Sequence, residues 1–436
     1  MNMKFWQGLQ NKIYMDYAGA APLDPHVGKL VAEYTKKYFG NPSAIHTSGV
    51  QAKRVLEQAR KEIASMLFAH ADEIIFTGSG TESDALAILG VVNSFLENNK
   101  GVLPHIVTTN IEHSAVLELC KQLEKEQKIE VTYVQVNPLG TVEVQHIKEA
   151  IKENTVLVSV MYANNEIGTI QPIKEIAKVI RQCRSGKYSF SGHADFSGEK
   201  SAQVFVPSHS QAPTKLYFPL LHTDACQAMN YLDTHNIDTL GVDLLSFNGA
   251  KIYGPRGMGV LYKKRGVTLA PLFIGGGQEF GLRSGTENVV GACGMALALF
   301  ITNKIKEKES PRLQLLQEKF FLGVSDIEKN TGYEIKINGN TENRLPNNVN
   351  ITIAGISSEL LVLELDAKGI AVSSKSACKS TDEESSHVIA ALRLASSDTF
   401  SKESLRFSFG RETTEKDIAR VLSVLEKILF KYKNWK

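Results

Sequence analysis

The stretch Ile74-Ile75-Phe76-Thr77-Gly78-Ser79-Gly80-Thr81-Glu82-Ser83 (74–83) decides the fold. A short apolar, β-prone run meets a glycine turn, and a helical pattern follows to Leu89. Strand, tight turn and helix start are the reading. Glycine lets the backbone approach a ligand, and a helix N-terminus offers free N–H groups and a positive dipole end. An anion such as phosphate suits that turn. The pattern fits neither the Walker nor the dinucleotide fingerprint.

Working outward, the same alternation continues on the C-terminal side. Strand-like runs at His105–Thr109, Val131–Val136, Thr155–Met161, Leu216–Leu221 and Leu244–Phe247 alternate with helical patterns near Ser114–Gln127, Glu143–Glu153 and Ile173–Arg184. This predicts an α/β fold with a mostly parallel sheet and helices on both faces. Ligands of such sheets sit at the carboxyl ends of the strands. The last third changes character. Strand candidates at Val349–Ile353, Ala371–Ser373 and Leu405–Phe409 and amphipathic helices at Leu360–Lys368 and Glu415–Tyr432 predict a smaller α+β domain. A long helix within Pro311–Ser325 is expected to join the two. The expected division is a large domain over 14–305 and a small one from 1–13 and 306–436. Residues 185–214, rich in Ser, Gly, Lys and Gln, read as a polar insertion.

Composition narrows the class. The chain has 436 residues, 43% hydrophobic and 22% charged, with a formal net charge of +2. That is globular composition, not disorder. The charge is too balanced for a dedicated nucleic-acid binder, so no direct nucleic-acid partner is expected. The longest nearly apolar run, Val289–Ile301, is shorter than the ~18 residues of a membrane span. Met1–Gln10 lacks an apolar core, so neither a secretory signal nor a membrane partner is expected. The 5 cysteines are scattered, odd in number and without a C-x-x-C pair. A reducing, cytoplasmic setting follows more naturally than a disulfide framework. His193, Asp195 and His209 match no ligand spacing, so no metal site is expected.

Four further features bear on chemistry. Asp224, in His222-Thr223-Asp224-Ala225-Cys226-Gln227, closes an apolar run, where a carboxylate suits a ligand such as a protonated pyridine nitrogen. Lys251 lies between small residues and a Gly-Pro turn, and such a lysine can form a Schiff base with an aldehyde. Gly275-Gly276-Gly277-Gln278-Glu279 and Arg283-Ser284-Gly285-Thr286 make a second glycine-rich, hydroxyl-bearing loop. Cys378 sits among Ser373, Ser374, Lys375, Ser376, Lys379 and Ser380, a polar cationic setting that favours a thiolate. A carboxylate for a pyridinium, a later lysine and two phosphate-cradling turns together point to pyridoxal 5'-phosphate (PLP).

The ordered motifs resemble the cysteine desulfurases of the iron–sulfur-cluster and nitrogen-fixation type, within the class V aminotransferase group. They include Tyr14-Met15-Asp16, Gly40-Asn41-Pro42-Ser43, Gly80-Thr81-Glu82-Ser83, Glu112-His113, Asn164-Asn165-Glu166-Ile167-Gly168, the segments around Asp224, Lys251 and Thr286, Ser373 to Cys378, and Arg406 to Arg411. The resemblance implies PLP-dependent transferase fold type I. It also implies roles: Lys251 holding PLP covalently, Asp224 on its ring nitrogen, His113 stacked on the ring and aiding proton transfer. Asn165 and Gln227 would hydrogen-bond near the phenolic oxygen. Gly80, Thr81 and Asn248 would hold the phosphate, with Thr286 reaching in from a second subunit of a homodimer. Arg406, with Asn41, would bind the substrate. Cys378 would take sulfur from L-cysteine as a persulfide, leave L-alanine, and pass the sulfur to a protein acceptor, either an iron–sulfur scaffold or a thiolation enzyme. A selenocysteine lyase or other class V PLP enzyme is the alternative activity, and a non-catalytic assembly scaffold a further one. Three residues depart from the usual pattern: Ala250 where the family has His before the lysine, Asn248 in place of Ser, and Lys375 in place of a small residue.

Overall fold

A computed structural model describes residues 13–185, 219–374, 386–396 and 403–434. Seven strands form the central sheet, in the spatial order Ile74–Thr77, Gly259–Lys263, Leu244–Asn248, Leu220–Asp224, Thr155–Ser159, His105–Thr109, Glu130–Val134. Gly259–Lys263 runs antiparallel to both neighbours, and the other pairs are parallel. Four of these strands are buried along their whole length, as a parallel sheet covered on both faces requires. One face packs under the helix Gly80–Asn98 through Leu86, Ile88 and Val91; the other carries Val107, Val158, Leu221, Leu245 and Phe247 into a larger core. The predicted α/β fold with its mostly parallel sheet is therefore present.

A second core surrounds Phe320, Val349, Ile351, Phe407, Phe409 and Val421. It lies against an antiparallel three-stranded sheet ordered Leu405–Ser408, Asn348–Ile353, Ile335–Ile337. The chain start joins this unit. Ile13–Tyr14 pairs in parallel with Ile370–Ala371, Met15 packs in the second core, and Asp16 bridges to Ser408.

The connecting helix is much longer than predicted, Val289–Thr331, 43 residues with Pro311 inside. Proline reads from sequence as a helix start. Here apolar residues on both sides of it keep the helix going: Ala292, Met295, Ala296 and Leu299 in the first core, Leu313, Leu316 and Phe320 in the second. This helix holds an 18-residue window apolar enough to cross a membrane, but 56% of that window is buried inside the protein. It is a core helix joining two packed units. Smaller differences lie at element ends. The strand expected at Leu216–Leu221 is Leu220–Asp224, because His222 and Asp224 pair in register with Leu244 and Ser246. The helix expected over Glu143–Glu153 is Val144–Ala150. Most of the insertion 185–214 lies outside the described residues.

Candidate active site

The polar residues gather where parallel strands end. Asp224 is the last residue of its strand and is 6% exposed. Its Oδ1 accepts the Cys226 N–H at 2.8 Å, which curls the chain so that Gln227 follows on the same turn. Lys251 closes a short 3-10 turn after Leu244–Asn248. The Asn248 side chain accepts the Lys251 N–H at 3.2 Å, and Asn230 Nδ2 donates to the Lys251 carbonyl at 2.6 Å. Lys251 Nζ donates to the Ala18 carbonyl at 2.7 Å and to that of Gly19; Gln227 Nε2 donates to the same Ala18 oxygen at 3.0 Å. Thus the chain start, the Asp224 turn and the lysine turn converge on one point.

The phosphate turn lies alongside. Gly80 opens its helix, and a Cβ there would meet Cys226 Sγ at 2.7 Å and Asn248 Nδ2 at 2.8 Å. Only glycine lets the turn, Cys226 and Asn248 approach so closely. Asn248 Nδ2 donates to Cys226 Sγ at 3.2 Å. Asn248, a departure from the family pattern, is therefore tied to the Asp224 turn through a thiol. Ser79 caps the helix by accepting the Glu82 N–H at 3.1 Å. The first helical N–H groups, those of Gly80 and Thr81, have no acceptor within the helix.

Beneath these residues lies a buried titratable cluster. Asp84 and His222 are fully buried, with Asp84 Oδ1 at 3.6 Å from His222 Nε2. His222 also pairs with the hydroxyls of Ser159 and Ser246, each at 2.9 Å. Burial drives the Asp84 carboxyl well above the carboxylate range, helped by the Asp224 charge, so it keeps its proton. Burial pushes the His222 imidazole down to about 4, so it stays neutral. Glu112, equally buried, is pushed up to about 8. The turn it occupies delivers His113, whose Nδ1 accepts the Ala115 N–H at 3.1 Å and caps the next helix.

Arg406 comes from the small sheet. It is 2% exposed; Nη2 donates to Asp16 Oδ1 at 2.7 Å and Nη1 to the Asn165 carbonyl at 2.9 Å, while Nε has no hydrogen-bond partner among the described residues. The predicted Arg406 and Asn165 are thus brought together, with the Asp16 carboxylate already on the guanidinium. Asn41 and Thr286 lie apart. They line a cavity of ≈ 370 Å³ with Tyr38, Phe39 and Gly40, none of whose lining residues is Lys251, Asp224 or His113. Cys378 lies outside the described residues, but both of its flanks are anchored here. The Ser373 N–H donates to the Arg406 carbonyl at 3.2 Å. Past Cys378, the His387 imidazole meets the Glu112 carbonyl at 3.0 Å, and the Ser386 hydroxyl donates to the Glu166 carboxylate.

Sequence reasoning missed several participants. The carbonyls of Ala18 and Gly19 carry no side-chain signal. Cys226 lies inside the Asp224 segment but carries no sequence signal that it would meet Asn248. Asp84 reads as a surface position on a helix, and only its burial under the sheet distinguishes it.

Comparison with known proteins identifies the family. The chain belongs to the aminotransferase class-V family, whose pattern it matches over residues 13–188 and 213–421. It is 39% identical over 423 residues to a protein of Dictyoglomus turgidum named cysteine desulfurase IscS, covering 97% of this chain and 96% of the relative. It is 37% identical over 416 residues to cysteine desulfurase IscS 1 of Archaeoglobus fulgidus, covering 95% and 96%. Among solved structures, a NifS-like protein superposes with a TM-score of 0.80 at 29% identity, covering 96% of this chain and 99% of the other. A structure titled SspA in complex with cysteine superposes with a TM-score of 0.71 at 30% identity, covering 92% and 99%. The fold is that of the PLP-dependent fold type I enzymes.

Proposed function

We propose that this protein is a PLP-dependent cysteine desulfurase that converts L-cysteine to L-alanine and carries the sulfur away as a persulfide on Cys378. The observation that carries this reading is the convergence of Lys251 Nζ and Gln227 Nε2 on Ala18, with Gln227 carried on the turn that Asp224 begins. The residues fit the cofactor: the Gly80 cradle leaves no room for a Cβ but leaves N–H groups for a phosphate, and Asp224 is the carboxylate for a ring nitrogen. Lys251 would bond to its aldehyde, and His113, Asn165, Gln227, Thr81 and Asn248 complete the set. Bound there, PLP supplies an electron sink that weakens bonds at the amino acid's Cα.

The chain's own residues do the rest. With PLP bound, Asp224 would hold a proton on the ring nitrogen by charge. The buried Asp84 keeps its proton, so that it adds no second negative charge beside Asp224. With PLP bound, Lys251 Nζ would be the base that takes the Cα proton and the acid that later returns a proton to that carbon. Arg406 receives the substrate carboxylate with its planar fork, in competition with Asp16. The Cys378 thiolate, favoured by Lys375 and Lys379, attacks the substrate sulfur. The Cβ–S bond breaks, its electron pair and a proton complete the alanine methyl group, and the sulfur remains on Cys378 as a persulfide. A protein acceptor, an iron–sulfur scaffold or a thiolation enzyme, then takes it.

A homodimer fits this scheme. Thr286 is exposed, and around it Phe273, Ile274 and Phe280 are 47%, 93% and 57% exposed on the same loop. A second copy would cover these side chains and bring Thr286 to a phosphate. The four cysteines among the described residues are free and buried, which suits a cytoplasmic setting.

The test is alanine release from L-cysteine by the purified, PLP-loaded protein, beside Cys378→Ser. Alanine from the first and almost none from the second is the expected result. Equal alanine from both removes Cys378 from the reaction. Alanine from selenocysteine alone transfers the reading to a lyase.

A further inference from the structure

The phosphate turn contains a carboxylate that is electrostatically misplaced for its task. Glu82 follows Thr81 directly, in the first helical turn. An acidic residue there stabilises the helix dipole, but it also repels any anion bound at the same N–H groups. In the structure its charge is matched. Glu82 Oε1 accepts from Arg283 Nε at 2.8 Å, and Oε2 accepts the Gly78 N–H at 2.9 Å. The pair is well sheltered, at 26% and 17% side-chain exposure. A Cβ on Gly78 would lie 2.7 Å from Glu82 Oε2, so the glycine is what lets the carboxylate close onto the turn.

Arg283 belongs to the second glycine-rich loop, and that loop is itself held in place. Glu279 makes two hydrogen bonds of 2.7 Å to the buried Arg60 and accepts the Phe76 N–H at 2.8 Å. The clamp maintains left-handed backbone at two side-chain-bearing residues, Glu279 (φ 48°) and Phe280 (φ 59°). Such a conformation persists only where its surroundings enforce it. Glu279 through the Phe76 N–H and Arg283 through Glu82 both fasten the loop to the strand–turn–helix 74–83.

We propose that Glu82 and Arg283 are a positioning pair for the phosphate turn: Glu82 orients the turn through Gly78, and Arg283 cancels the charge that would otherwise repel a phosphate. The inference rests on the PLP reading above. It makes retention of the cofactor's phosphate depend on the seating of the 275–286 loop.

The experiment measures release of PLP from the holoprotein, and binding of pyridoxal, which lacks the phosphate, to the cofactor-free protein. Arg283→Ala leaves Glu82 unmatched; PLP release rises about tenfold while pyridoxal affinity stays within about twofold. Arg283→Lys keeps the charge and holds PLP within about threefold of the wild type. Adding Glu82→Gln to Arg283→Ala removes the repelling charge while the amide oxygen still accepts from Gly78, and slows release again. Equal effects of Arg283→Ala on PLP and pyridoxal, or a double variant no better than the single one, overturn the proposal. A wild type that takes up neither compound, or both equally well, instead overturns the placement of the phosphate at this turn.

Discussion

Replacing Glu112 by Gln changes how stability depends on pH, by an amount the structure fixes. Glu112 is fully buried, and burial pushes its carboxyl from the usual 4.5 up to about 8; bonds from Thr109 Oγ1 at 2.6 Å and Met161 N at 2.9 Å oppose that rise without cancelling it. The Asp224 charge adds to the rise. The folded protein therefore keeps the Glu112 proton up to about pH 8, while the unfolded chain loses it near 4.5. Between those values folding takes up a proton, so stability falls as pH rises, by about 1.4 kcal/mol per pH unit. The full gap corresponds to about 5 kcal/mol. Glutamine has the same shape and cannot ionise, so this contribution to the pH dependence disappears. His222, held down to about 4 in the fold against 6.5 in the unfolded chain, makes stability rise with pH between those values in wild type and variant alike, so it cancels in the comparison. Urea midpoints of the cofactor-free protein, measured from about pH 5 to about pH 8, give the comparison. The variant gains on the wild type steadily as pH rises. Two curves that run parallel across the window would show Glu112 ionised in the fold and refute the reasoning.

Two further substitutions test the frame of the site. Gly80→Ala places a Cβ 2.7 Å from Cys226 Sγ and 2.8 Å from Asn248 Nδ2; the strain of about 1–3 kcal/mol exceeds the helix propensity gained, so both melting temperature and PLP retention fall, and an unchanged pair of values would show that the turn has slack. Arg60→Ala leaves the buried Glu279 without its opposite charge and costs about 3–5 kcal/mol in denaturant unfolding; a cost under about 1 kcal/mol would show that the clamp holds nothing.

The strand–turn–helix 74–83 and the alternation after it were legible in the residues, because periodicity and glycine placement are local properties. Lys251 and Asp224 could be singled out from the residues, and His113 and Arg406 from the family resemblance, because a lysine, carboxylate, imidazole or arginine in ordered motifs carries chemistry in its own side chain; their roles are proposals. Helix length was not. Pro311 reads as a start, and only apolar faces meeting two different cores explain a helix running from Val289 to Thr331. Nor could local pattern show that a helical Asp84 is buried against His222, or that Lys251 rests on the carbonyls of Ala18 and Gly19, more than two hundred residues away in the chain. Protonation states and backbone acceptors depend on which segments are brought together and how completely water is removed, and only tertiary packing decides that. The sequence determined which chemical groups this protein possesses. The fold decided which of them share one dry corner at the strand ends.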